Sequence, residues 1–158
     1  MGMTFDPPPL VPELDVSDLD RSLAIYVGVL GFRCHVSRPE ERFVYLIRER
    51  AHLMLEEASG PGRRFNNAPL EFPFGRGVNL QIEVTHVDAL YAAVQRSDLT
   101  ILVEVEERWY RQGQEEAGNR QFVVADPDGY LLRFFSNLGR RPVPESQPWQ
   151  PPSDAILA

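Results

Sequence analysis

From Val11 to Val16 apolar and polar residues alternate, the period-two pattern of a strand with one buried face. The period then changes. In "SDLDRSLAIYVGVLGF" the residues Leu19, Leu23, Tyr26, Val27 and Leu30 recur at helical spacing behind the capping-type Ser17 and Asp18, and Gly31 ends the run. "FRCHVSR", "RFVYLIRER" and "AHLMLEE" predict three more strands, with breaks at Pro39-Glu40 and around Glu49-Arg50. Residues 58–76, dense in Gly, Pro and Asn, predict a linker loop. Beyond it "NLQIEVTHVDALYAAVQRSDL" is a strand running into a helix. "TILVEVEERWY" and "NRQFVVADPDGYLLRFFS" supply further strands, the latter turning at Asp126-Pro127-Asp128-Gly129.

The second half restates the first. A constant offset lays "LDVSDLDRSL" over "IEVTHVDALY", matching Val16 to Val84, Ser17 to Thr85, Leu19 to Val87 and Asp20 to Asp88. This points to an internal duplication of a β-α-β-β-β unit, with chance similarity of two strand–helix junctions as the competing explanation. The expectation is an α+β domain over residues 1–138, with module one at 10–57 and module two at 77–138. A Pro-rich arm precedes it, and a Pro-rich tail at 139–158 is expected to be extended or disordered.

Composition narrows the function without naming it. A chain of 158 residues fits one domain or two small fused halves. No apolar run approaches the roughly 20 residues needed to cross a bilayer, and no signal peptide is visible, so cytoplasm is the expected compartment. A net charge of −7 argues against nucleic acid as a partner. The single cysteine, Cys34, builds neither a disulfide nor a zinc knuckle and reads as a small core residue. Cys34 and His35 are adjacent, so on a strand they face opposite ways and form no nucleophile–base pair. No Ser-His-Asp or phosphate-loop spacing is present.

The tandem units, with "VSDLDRSLAIYVGVLGF" in the first and "VVADPDGYLLRFF" in the second, resemble the vicinal oxygen chelate superfamily of glyoxalases, extradiol dioxygenases, and fosfomycin- and bleomycin-resistance proteins. The resemblance spans roughly Leu10 to Asn137. It implies two tandem βαβββ modules whose sheets curve around a pocket, commonly completed by dimerisation, so a homodimer is expected. It also implies four metal-ligand positions, which fall here on Val11, Met54, Asn79 and Arg133. Valine has no donor, methionine is a soft ligand, and arginine brings a fixed positive charge, so neither metal nor other cofactor is expected. A shifted site built from Glu13, His52 and Glu56 is the alternative. "LVPELDV" and "GNRQFVVADPDG" look more like the bleomycin-resistance branch, metal-free dimers that bind a large cationic drug, than like glyoxalases.

Alternation itself predicts which side chains face the pocket. Leu14 and Val16 pack inward, leaving Val11, Glu13 and Asp15 outward; Leu80, Ile82 and Val84 pack inward, leaving Asn79, Gln81 and Glu83. His52, Met54 and Glu56 share a face, with His52 read as pocket-lining or as a satisfied polar histidine. Glu13, Asp15, Glu56 and Glu83 are thus expected on one concave surface opposite Arg133, an arrangement whose repulsion a cation relieves. For Asp15 and Glu83, solvated strand ends are the equal alternative. Trp109 is the aromatic chosen to stack on a flat ligand. The expected function is sequestration of a cationic, partly aromatic small molecule. The alternative is a metal-independent isomerase or lyase whose general base is Glu13 or Glu56.

Overall fold

The computed structural model describes residues 5–145. Its first strand, β1 (Glu13–Val16), keeps the alternation: Leu14 and Val16 are buried and Glu13 is exposed. Asp18 then caps α1 (Leu19–Tyr26), its side chain accepting from the Arg21 backbone N–H at 3.0 Å, a donor that the helix cannot satisfy itself. Gly31 turns the chain at φ +75°, a left-handed conformation that costs glycine little. After it come β2 (Arg33–Arg38), a 3₁₀ turn at Pro39–Glu41, β3 (Phe43–Arg48) and β4 (Ala51–Glu57). The second half repeats the order with β5 (Asn79–Glu83), α2 (Val87–Gln95), β6 (Thr100–Gln112), β7 (Glu115–Ala125) and β8 (Leu131–Pro142).

The two sheets have the same topology. Their strand orders are β1-β4-β3-β2 and β5-β8-β7-β6, and in each the first strand runs parallel to the last, Glu13 beside Met54 and Asn79 beside Leu131. The expected pair of βαβββ modules is therefore present, and the fold is α+β. One apolar cluster joins them: Val16, Tyr26 and Leu55 of the first module share it with Val84, Phe122 and Phe134 of the second. The helices lie within this core through Leu19, Leu90 and Val94.

The duplicated junctions also clasp one another. The Ser17 backbone N–H and hydroxyl both donate to the Asp128 carboxylate, at 2.9 and 2.5 Å, in the β7–β8 turn. Its matched residue Thr85 donates its backbone N–H to Glu49, at 3.1 Å, in the β3–β4 turn, and its hydroxyl bonds there too. Each module's last hairpin thus grips the other's strand–helix junction, which answers the question of duplication against coincidence. Ser17, read as a helix cap, serves as this clasp instead. Ser17→Ala removes one charge-assisted bond and leaves the backbone one in place, so an unfolding titration should show a loss of about 1–2 kcal/mol.

Two expectations need correction. Cys34 is exposed: β2 is an edge strand whose six residues are all exposed, so its alternation has no core to face. β8 runs past residue 138 to Pro142, because β7 continues to pair with it as far as Glu115. That part of the tail is strand, while residues 146–158 lie outside the described residues. The linker holds no helix or strand and folds back over the outer face of the first sheet, with Asn66 on Asp15 and Gly62 against Glu56.

Candidate functional site

Pairing places the predicted residues. The parallel register of β1 and β4 sets Glu13 beside Met54 and Asp15 beside Glu56, while β3 brings Phe43, Tyr45 and Ile47 to the same outer face. At one end of this face Glu13, Asp15 and Glu56 converge on a cavity of about 230 Å³ whose wall includes the rings of Phe65 and Tyr130. Glu56 is only 4% exposed although it is ionisable. Burial first, and then the Glu56 charge and hydrogen bond, hold the Glu13 carboxyl above the ordinary glutamate range. Repulsion from a neighbouring carboxylate favours the protonated form of Glu13.

The linker builds the rest of this cavity. Gly62 lies so close to Glu56 that a Cβ there would fall 1.5 Å from its Oε1. Arg64 donates to the carbonyls of Gly62, at 2.8 Å, and Glu57, and Asn66 donates to Asp15 at 2.7 Å. Arg64 is anchored on backbone oxygens and lines the cavity beside the acids, while Arg38, the cation that acts against the rise at Glu13, pairs with Glu41 at 2.6 Å. The remaining neighbour is Arg63, stacked on Phe65 at 4.9 Å.

Further along the same face the surroundings turn apolar. Val11 and Met54 pack against Phe43, Tyr45 and Ile47. The Tyr45 hydroxyl and His52 Nδ1 are bonded at 2.9 Å, and Phe5 stacks on His35 with its ring centroid 4.2 Å away. Burial pushes His52 below the usual histidine range. His52, Asn79 and Gln81 line a cleft of about 360 Å³ together with Arg50, Phe32 and several proline and aliphatic side chains. His86 is an exposed residue at the start of α2.

The outer face of the second sheet is a separate groove of about 470 Å³. Gln81 and Arg133 are register partners on β5 and β8, and Arg133 donates to the Gln81 side-chain oxygen and, at 3.5 Å, to the Tyr110 hydroxyl. Arg133 thus meets neutral oxygens there, and the acids expected opposite it line another cavity. Glu83 joins neither group; it lines a third cavity, of about 380 Å³, with Glu49, Arg50 and Thr85. Trp109 lies on the reverse face, above Gly118 and beneath the Arg141 guanidinium at 3.9 Å. Its neighbour Tyr110 is the aromatic that lines the groove. The residues placed together are therefore Glu13, Asp15 and Glu56 in one cavity, and Gln81 and Arg133 in another, with Asn79 and His52 between.

A metal does not fit the four family positions. Val11 and Met54 are packed into the apolar cluster, Asn79 sits at the mouth of a cleft, and Arg133 brings a cation. Among the described residues no three His, Cys, Asp or Glu side chains are grouped to hold one elsewhere.

The chain matches a defined family. The model of the Glyoxalase/Bleomycin resistance protein/Dioxygenase superfamily matches residues 12–134, and the chain belongs to it. Curated relatives include the bleomycin resistance proteins of Geobacillus stearothermophilus and Staphylococcus aureus. Each is 29% identical over 137 residues, covering 81% of this chain and 96% of the relative. Among solved structures, TioX of a Micromonospora species superposes with a TM-score of 0.65 at 22% identity, over 82% of this chain and 98% of that one. A virulence protein of Salmonella typhimurium gives 0.62 at 18% identity, over 85% and 98%, and both likenesses speak for the fold. Among the described residues no helix is long and apolar enough to cross a membrane.

Proposed function

We propose that this is a bleomycin-resistance-like protein that binds a cationic, partly aromatic small molecule and withholds it from its target, without chemistry and without metal. It works as a homodimer in the cytoplasm. The observation that carries the reading is the convergence of Glu13, Asp15 and Glu56 on one cavity with two aromatic rings in its wall. The three acids outnumber Arg63 and Arg64 of the same wall, and a bound cation relieves the repulsion that remains while the rings take up its flat part. The curated relatives named for bleomycin resistance support the same ligand class.

The raised Glu13 carboxyl beside a buried Glu56 also suits proton transfer, and so favours a metal-independent isomerase or lyase as the second reading. Calorimetric titration of the full chain separates the two. Bleomycin should bind with an affinity that falls as salt is raised, and Glu56→Gln should weaken it about tenfold or more. Zinc and nickel, titrated separately, should give no stoichiometric uptake. Metal uptake, or drug binding indifferent to Glu56, would overturn the proposal, and recovery of the drug chemically altered would favour the enzyme.

A further inference from the structure

We infer that the groove on the outer face of the second sheet is a separate binding site for an organic molecule bearing one carboxylate, anchored by Arg133. The chain as a whole carries a net charge of −7, yet among the described residues no carboxylate lines this groove; its polar wall is amides, the Tyr110 hydroxyl and two arginines. The amides of Gln81 and Asn119 offer further donors, and the rings of Tyr110 and Phe135 flank an apolar portion. The nearest acids are already committed. Glu106 pairs with Arg108 at 3.2 Å and accepts from Gln121, and Glu115 pairs with Arg140 at 2.9 Å.

That leaves Arg133 as the uncompensated charge of the face. Its two bonds go to neutral oxygens, and its Nε–H is buried with no acceptor among the described residues. A buried donor without a partner is costly, and a guanidinium holding only neutral acceptors binds a carboxylate more strongly than it binds them. The exposed Gln81 side chain need only swing aside for a carboxylate to reach the fork. One free positive charge also sets the class: it balances a monoanion, whereas a phosphate monoester brings nearly two charges. The groove's volume of about 470 Å³ is sufficient for a molecule of two or more rings.

The probes are 2-naphthoate, its neutral carboxamide and 2-naphthyl phosphate, each titrated calorimetrically into the full chain. Naphthoate should bind about tenfold or more tighter than the carboxamide and tighter than the phosphate. Arg133→Met should abolish that advantage and leave carboxamide binding unchanged. If the variant does not fold, the acid–amide comparison on the natural chain decides, with amide-shift mapping expected at Tyr110, Asn119 and Phe135. Equal affinity for acid and amide, preference for the phosphate, shifts elsewhere, or no naphthoate binding at about 10 mM would each overturn the inference. The site does not depend on the acid cavity. Glu56→Gln should leave naphthoate binding unchanged, and Arg133→Met should leave bleomycin binding unchanged, so the two proposals fail separately.

Discussion

Asp126→Ala is expected to be the most damaging single substitution outside the apolar core. Asp126 is 4% exposed, and its carboxylate accepts three bonds at 2.9 Å: from the Tyr26 hydroxyl, and from the backbone N–H groups of Asp128 and Tyr130. Tyr26 is fully buried, so its hydroxyl has no water to turn to once the acceptor is gone. The two backbone donors hold the turn whose Asp128 grips Ser17, so the damage spreads from a hydrogen bond to the contact between modules. An orphaned buried donor costs roughly 1–3 kcal/mol, and the combined loss should be about 3–5 kcal/mol. For a chain of this length the melting temperature should fall by roughly 10 °C or more, in a calorimetric scan. Asp126→Asn keeps one acceptor oxygen and removes a buried charge, so it should cost much less. Equal losses for the two variants would mean that the carboxylate's acceptor role does not hold the turn.

The same turn shows how far the sequence could be read. Asp126-Pro127-Asp128-Gly129 announces a turn because its chemistry is local, and Gly129 duly adopts φ +96°. That Asp126 reaches Tyr26, a hundred residues away, is a property of tertiary docking and has no local signature. Strand faces were legible for the same reason that turns are. Side-chain period is a local constraint, so Glu13 and Asp15, and likewise Asn79 and Gln81, fall on the outer faces as alternation requires. Which outer faces share a cavity is decided by how the two sheets sit, and the expected ring of acids around Arg133 is divided between them.

Trp109 is a different kind of miss, because the signal was present. Ile101 and Val105 pack against the core and set the inward parity of β6, and extending it puts Trp109 on that side and Tyr110 on the other. The two register shifts in this strand, between Ile101 and Val103 and between Val103 and Glu106, each add one residue on the β6 side, and together they move the ladder by two, which restores the parity at Trp109. Gly118, directly across the ladder from Trp109, gave the ring room. Cys34 failed for a third reason: a period says which residues share a face, and nothing about whether that face is covered. The linker's fold over Glu56 rests on Gly62 and on bonds from Arg64 and Asn66, contacts that a Gly- and Pro-rich composition does not encode.

Acidification should act on stability and on cation binding with opposite signs, and Glu13 is the reason. Its folded-state carboxyl lies above the ordinary value of 4.5, raised by burial and then by Glu56. The folded protein therefore keeps a proton that the unfolded chain has released. The contribution of this group to stability is complete below 4.5 and is lost as pH rises through the higher folded-state value. Cation binding runs the other way, because the cation must displace that proton. Affinity for bleomycin should rise with pH across the same window, by at most about tenfold per unit for one linked proton, and should level off above it. Calorimetry in buffers of different ionisation heat should register proton release within the window. Glu13→Gln removes the titrating group, so the variant should lose that part of the pH dependence in both unfolding and binding and be more stable than the natural chain above the window. The acid cavity is then a place where folding leaves repulsion unrelieved and a ligand relieves it. If the natural chain and Glu13→Gln show the same pH dependence in both measurements, Glu13 is simply a solvated surface acid, and the cation must be sought elsewhere.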